Sequence, residues 1–244
     1  MAGQYRLDPF ETTRVFINNG DNFPESLSLL GQQRVTALVL HGPAEPQTIS
    51  EFRVEGKSLS FEITPTTAGS HVVALSTRSR RVRLKAEEFN DYLDENGLGS
   101  VLATREELGE INEAAVERYA KWAKAFIDVG ELEADEEEPA WSKPVGHTIE
   151  IVPDKNPNEV AAGGRLGLRV LYEGEPLAGA TVTGGKAGGA AGEILTTTDE
   201  DGHASVTVLS SGRWYLRAIH MIERADDPEV RWESFWCTLT FEVR

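Results

Sequence analysis

Cysteine is nearly missing from this 244-residue chain, which has only Cys237, and its five histidines, His41, His71, His147, His203 and His220, stand far apart. A lone thiol closes no intramolecular disulfide and supplies no thiolate-rich zinc site, so packing has to hold the fold together. Positive charge is also scarce. With 24 basic against 40 acidic residues the formal charge is -16, which repels nucleic-acid phosphates and anionic lipid. No uninterrupted apolar run approaches the roughly 20 residues that span a bilayer, so neither nucleic-acid binding nor membrane insertion is expected. The opening Met1-Ala2-Gly3-Gln4-Tyr5-Arg6 lacks the basic and apolar regions of a signal peptide; as it stands the chain is read as carrying no export signal.

Enzyme signatures are missing as well. There is no His-Glu-x-x-His, no Gly-x-Ser-x-Gly elbow, no paired-cysteine motif and no dinucleotide-binding fingerprint. The stretch Gly184-Gly185-Lys186-Ala187-Gly188-Gly189 fails as a phosphate loop, because Ala180 stands where the first glycine belongs and Ala187 where a magnesium-binding hydroxyl belongs. It is read as a flexible hairpin loop, and the chain as non-enzymatic.

Short β patterns are plentiful. With 40% hydrophobic and 26% charged residues the chain can build one large core or two smaller ones. Over the first 84 residues, strands are predicted at Thr13–Ile17, Arg34–Leu40, Glu51–Val54, Leu59–Thr64, His71–Thr77 and Arg81–Leu84, several with apolar residues at every second position. From Ala86 the period changes: Phe89, Tyr92 and Leu93 at i, i+3 and i+4 predict a helix stopped by Asn96-Gly97. A second helix is expected from Asn112, with Val116, Tyr119, Ala120 and Ala123 on one stripe. Its end is open, because Ala123, Ala125, Ile127 and Val129 alternate as a strand does. A helical excursion is therefore expected over about 86–125.

The acidic run Glu131–Glu138, followed by Pro139 and Pro144, reads as a solvated linker, because its like charges keep it extended and it lacks the glycine-punctuated spacing of a calcium loop. It divides the chain into residues 1–145 and 146–244. Seven strands are predicted in the second part, ending with Arg213–Met221 and Trp232–Val243, at the spacing of a small β-sandwich. The expected fold is mainly β: two β-sandwich domains, the first with the helical excursion.

Gly174-Glu175-Pro176-Leu177-Ala178-Gly179-Ala180, Thr198-Asp199-Glu200-Asp201-Gly202 and Gly212-Arg213-Trp214-Tyr215-Leu216 resemble the prealbumin-like modules of carboxypeptidase regulatory domains, which implies a Greek-key second domain. Gly20-Asp21-Asn22-Phe23-Pro24, Phe89-Asn90-Asp91-Tyr92-Leu93, Glu150-Ile151-Val152-Pro153, Ile219-His220-Met221 and Trp232-Glu233-Ser234-Phe235-Trp236 resemble a bacterial family of exported proteins, some labelled as periplasmic components of cobalt or nickel uptake. That resemblance implies a periplasmic or extracellular location, a transporter component as partner and nickel or cobalt as cofactor. Relatives carry a histidine at the mature N-terminus; Met1–Gln4 contain none.

Two candidate sites stand on the last two strands. In a hairpin around Asp226-Asp227-Pro228, residues whose numbers sum to about 453 oppose each other, which sets His220 against Glu233. Such a pair suits a metal, a catalytic water, or a hydrogen-bonded place in the core. Trp232 and Trp236 project to the opposite face, where they form either a stacking platform for a surface glycan or protein partner, or part of a core. Cys237 alternates with core positions and is read as a buried small hydrophobe.

Overall fold

Period-two alternation takes most of the chain into strands, and the architecture is mainly β. The computed structural model describes residues 1–20, 22–132, 138–189, 194–227 and 229–244. The N-terminal strands are β1 (Arg6–Leu7), β2 (Thr13–Ile17), β3 (Val35–His41), β4 (Gln47–Thr48), β5 (Arg53–Glu55), β6 (Ser58–Ile63), β7 (Gly69–Thr77) and β8 (Arg80–Leu84). Helices α1 (Ala86–Glu95) and α2 (Gly99–Glu107) follow, then the long strand β9 (Ala115–Val129). The remaining strands are β10 (Ile149–Pro153), β11 (Gly164–Tyr172), β12 (Glu175–Pro176), β13 (Thr181–Lys186), β14 (Ile194–Thr197), β15 (His203–Val208), β16 (Gly212–Glu223) and β17 (Trp232–Val243).

Among the described residues these strands make three sheets. The large one runs β14-β13-β16-β17-β9-β7-β3-β4, with β1 and β8 also paired to β9. It draws strands from both sides of residue 145, joined where β17 lies parallel to β9 from Trp232 opposite Glu117 to Thr240 opposite Ala125. A second sheet sets β10, β12 and β15 around β11, and a third is β2-β6-β5. One face of the large sheet, with Trp214, Leu216, Leu239 and Phe241, packs on Ile149, Ile151, Leu166 and Leu168 of the second sheet. The other face is shared. Val73, Leu75 and Ile127 pack on Val15, Ile17 and Phe61 of the third sheet, whereas Ile219, Met221 and Trp232 pack on Phe89, Leu93 and Val101 of the helices. Each such side chain withdrawn from water contributes about 1.5–3 kcal/mol.

Local chemistry accounts for α1. The Glu88 carboxylate accepts the Lys85 N–H at 3.1 Å, Phe89 and Leu93 form its buried stripe, and Gly97 ends it at φ +68°. The second helix differs from expectation. It begins at Gly99 and ends at Glu107, and the segment expected to be helical from Asn112 enters β9 at Ala115. The stripe Val116, Tyr119, Ala120 and Ala123 therefore falls on both faces of a strand. Val116, Tyr119, Trp122, Phe126 and Ile127 suit a pleated surface, and β7, β17, β8 and β1 supply four sets of ladder partners, so tertiary pairing overrides a helical spacing of mixed quality. The glycine-rich stretch also differs: Gly184–Lys186 belong to β13, and a Cβ on Gly184 would lie 2.5 Å from the Tyr215 carbonyl oxygen, so glycine there permits close strand approach. Residues 133–137 of the acidic run, Asp21 of the Gly20–Pro24 motif and Pro228 of the hairpin lie outside the described residues.

Candidate ligand cleft

The face of the large sheet shared by the third sheet and the helices holds a cleft of about 160 Å³. Alternation along β9 turns Lys121, Ala123 and Ala125 into it, beside Val73, Leu75 and Thr77 of β7 and Trp236, Thr238 and Thr240 of β17. The two alanines put methyl groups at the centre of the sheet where longer side chains would fill the space. Phe61, Val15 and Ile17 of the third sheet form the opposite wall, and Asn18–Gly20 with Phe23–Glu25 lie along the opening. The latter segment is tied down by the Phe23 ring, 5.2 Å from Tyr215, and by the Gly188 N–H, which donates to the Phe23 carbonyl at 3.1 Å.

Polarity collects at one end. Lys121 Nζ donates to Asn19 Oδ1 at 3.0 Å and stands 4.9 Å from the Trp236 ring centroid. The Arg217 guanidinium carbon stands 5.5 Å from the same centroid, and its Nη2 donates to Asn96 Oδ1 at 2.8 Å. Trp236 is fixed from beneath: its ring stacks on Tyr92 at 5.7 Å and 3°, and its Nε1 donates to Ser234 Oγ at 2.9 Å. The Ser234 hydroxyl donates to Glu117 Oε1, which also accepts the Tyr92 hydroxyl at 3.2 Å. Burial pushes the Glu117 carboxyl above its usual range, against the lowering effects of the Ser234 and Tyr92 hydrogen bonds and the Lys121 charge.

The sequence candidates land elsewhere than expected. The β16–β17 register pairs His220 with Phe235 and Glu233 with Ile222, so opposing numbers sum to 455 rather than 453. Asp227 accounts for the shift: its Oδ1 accepts the N–H groups of Glu229 and Val230, and the Arg224 N–H donates to Arg231 O, which moves the pivot one residue along the chain. The faces of the two strands are as expected; only the partners change. His220 packs its ring 4.5 Å from Tyr172, and burial lowers its pKa despite the nearby Glu173. Glu233 is gripped by Arg118, whose Nε donates at 2.8 Å, and by Arg224, whose Nη1 donates at 3.0 Å. No group of three His, Cys, Asp or Glu among the described residues is arranged to hold a metal ion. Trp232 and Trp236 do share a face, but the helices cover it. Trp232 is 2% exposed and buried among Phe89, Leu93 and Met221, so the two indoles form no open platform.

Sequence reading missed the cleft. Its one legible signal is the small-residue pair Ala123 and Ala125 at inward positions of a strand; nothing in the order of residues links Arg217 to Lys121 and Asn19, which the folded chain gathers from β16, β9 and a loop.

Among solved structures the chain is similar to the D0-D1 domain of intimin, at 13% identity over 98% of this chain and 95% of that one, with a TM-score of 0.25. It is also similar to SGBP-B of the Bacteroides ovatus mixed-linkage glucan utilization locus, solved with a mixed-linkage heptasaccharide, at 10% identity over 98% of this chain and 44% of that one, with a TM-score of 0.23. No curated protein matches the sequence. The family model described as a domain of unknown function, DUF4198, matches residues 7–222, and the chain belongs to that family.

Proposed function

We propose that this chain is a non-catalytic binding or accessory module, working in the periplasm or outside the cell as the resemblance to exported proteins implies, and that its ligand occupies the cleft beside Asn19 and Phe23. One observation carries this reading: apolar walls, an indole and two cations converge on a single concavity between sheets, the arrangement that small-ligand sites share. The side chains at its polar end hold and orient; Lys121, Arg217, Asn19 and Trp236 include no nucleophile set beside a base. A part in nickel or cobalt uptake would use this cleft or donors other than His220 and Glu233, which the strand register keeps apart.

The cleft is tested with a neutral apolar probe, benzyl alcohol, titrated into the methyl-labelled protein. Saturable shifts are expected at Leu38, Val73 and Leu75, and Ala123→Phe, which fills the space, should abolish them while leaving the circular dichroism spectrum unchanged. Absence of shifts at these methyls, or binding that survives Ala123→Phe, would falsify the reading. Titration with nickel and cobalt ions in a calorimeter tests the metal part; heat release lost in His220→Ala but kept in Ala123→Phe would return attention to the last hairpin.

A further inference from the structure

Positive charge, scarce in the chain as a whole, gathers on one strand edge. The 24 lysines and arginines are spread over 244 residues, yet Arg78, Arg80, Arg81 and Arg83 fall within six consecutive positions. All four are exposed. Arg81 pairs with Glu229, whereas Arg78, Arg80 and Arg83 form no ion pair among the described residues. Arg34 adds its charge nearby: its guanidinium carbon stands 5.0 Å from the ring centroid of Tyr119, the residue of β9 opposite Arg80.

The strand that carries these arginines has an open edge. Strand β8 pairs with β9, from Arg80 opposite Tyr119 to Leu84 opposite Ala115, and with no other strand among the described residues. On the same side of β9, β7 is covered along its outer edge by β3, from Thr77 opposite Val35 onward. That cover ends where the Arg78 N–H donates to the Arg34 carbonyl at 2.7 Å. Among the described residues, the row that β3 fills beside β7 is therefore empty beside β8, and alternate backbone N–H and C=O groups of β8 point into it.

Charged side chains commonly guard such an edge against chance pairing. The charge here exceeds that need. Arg81 stands opposite Arg118, an arrangement of like charges that repels, and Glu229, Asp227 and Glu233 offset it on that face. No acid does the same for Arg78, Arg80 or Arg83 among the described residues. At physiological salt charges act over about 8 Å, so the acid excess of the distant surface does not cancel this patch. A short anionic segment is attracted here, whereas a long polyanion would run on over a molecule of formal charge -16. Arg80 and Arg83 project to opposite faces of the sheet, so an extended segment meets both with acids three residues apart.

We infer that the outer edge of β8 is a docking strand for an acidic, extended segment of a partner protein. The segment continues the row of β3 beside β8 and sets its carboxylates against Arg80 and Arg83.

The full chain, labelled with nitrogen-15, is titrated with the capped peptide Thr-Glu-Val-Thr-Glu-Val-Thr. Its counterparts carry glutamine or lysine in place of glutamate, and a fourth peptide keeps glutamate but is N-methylated at its three central residues. The glutamate peptide should shift the amides of Arg80–Leu84 saturably and bind about fivefold tighter than the glutamine peptide, since each exposed ion pair contributes a factor of a few. The lysine and N-methylated peptides should give no measurable shift. Arg80→Glu combined with Arg83→Glu should exchange the preference, so that the lysine peptide binds and the glutamate peptide does not. Equal binding of the N-methylated and unmodified peptides would mean attraction without strand addition, and would overturn the docking strand. So would shifts at Arg80–Leu84 produced by heparin or by phosphatidylglycerol vesicles but by no peptide. Absence of any shift at these amides with the glutamate peptide overturns it as well and leaves the cleft reading untouched. If the double variant does not fold, the four peptides on the unmodified chain decide alone.

Discussion

Lys124 and Glu150 form a buried ion pair between the large sheet and the second sheet, with Nζ 2.7 Å from Oε2 and both side chains 2% exposed. Glu150 also accepts the N–H groups of Val145 and Gly146 at 3.0 and 3.1 Å. Burial lowers the Lys124 pKa, and the adjacent Glu150 opposes that effect. Removing one partner leaves the other charge stranded in the interior, so Lys124→Met should destabilise by about 3–5 kcal/mol. Glu150→Leu should cost that much and more, because two backbone donors lose their acceptor as well, at about 1–3 kcal/mol each. The double variant strands no charge and keeps only the backbone loss. It should therefore be less destabilised than Glu150→Leu alone, and several kcal/mol less than the two single effects added together. Urea unfolding of all four proteins at pH 7 gives the cycle. Additivity within about 0.5 kcal/mol would mean that the two groups do not depend on each other, and would refute the argument.

Three further outcomes are expected. Burial foremost, then the charges of Lys124 and His41 against the pull of Glu150, lowers the His147 pKa from 6.5 to about 4. The unfolded chain therefore takes up that proton first, and a contribution present above about pH 7 is lost as pH falls from 6.5 to about 4. A separation of some 2.5 pH units at about 1.4 kcal/mol per unit is on the order of 3 kcal/mol, and His147→Gln should flatten the stability profile by that amount between pH 7 and 4; parallel profiles would contradict it. Glu117 has the opposite sign: its raised pKa means that the folded state holds the proton more tightly, so stability is lost as pH rises through the folded value. Glu117→Gln keeps an acceptor oxygen for Ser234 and Tyr92 without the buried charge and should raise stability at pH 7, with a smaller gain at pH 4; a clear loss in the melting temperature at pH 7 would count against it. Burial pushes the Cys237 thiol up to about 12, and it lies in the core between the large sheet and the second sheet with its sulfur 3.5 Å from the Ala218 carbonyl oxygen, so iodoacetamide should leave the native protein unlabelled and modify it in urea. Labelling at comparable rates in both conditions would refute the burial argument.

Strand positions were legible because each rests on a local signal. Thr13–Ile17 and Trp232–Val243 alternate in a way that needs no partner to be recognised, and Asn96-Gly97 stops α1 through glycine's access to positive φ. The core position of Cys237 followed from the same alternation. Partners were not legible in that way. The hairpin faces were right and the register wrong, because side-chain period fixes a face, whereas Asp227 and its turn fix which residues meet. For β9 the balance went the other way: a weak helical spacing lost to strand pairing along both edges of the segment.

By itself the sequence determined a mainly β chain without disulfides, the faces of its strands, the length of α1 and the apolar surroundings of Cys237, since all of these depend on periodicity, capping and composition. The tertiary structure decided that one sheet would run through both halves of the chain, that His220 and Glu233 would take different neighbours, and that Trp232 would disappear beneath the helices. It also decided the cleft, because Lys121, Arg217 and Asn19 lie on three separate segments and meet only through the parallel pairing of β9 with β17 and the closure of the third sheet over Ala123 and Ala125.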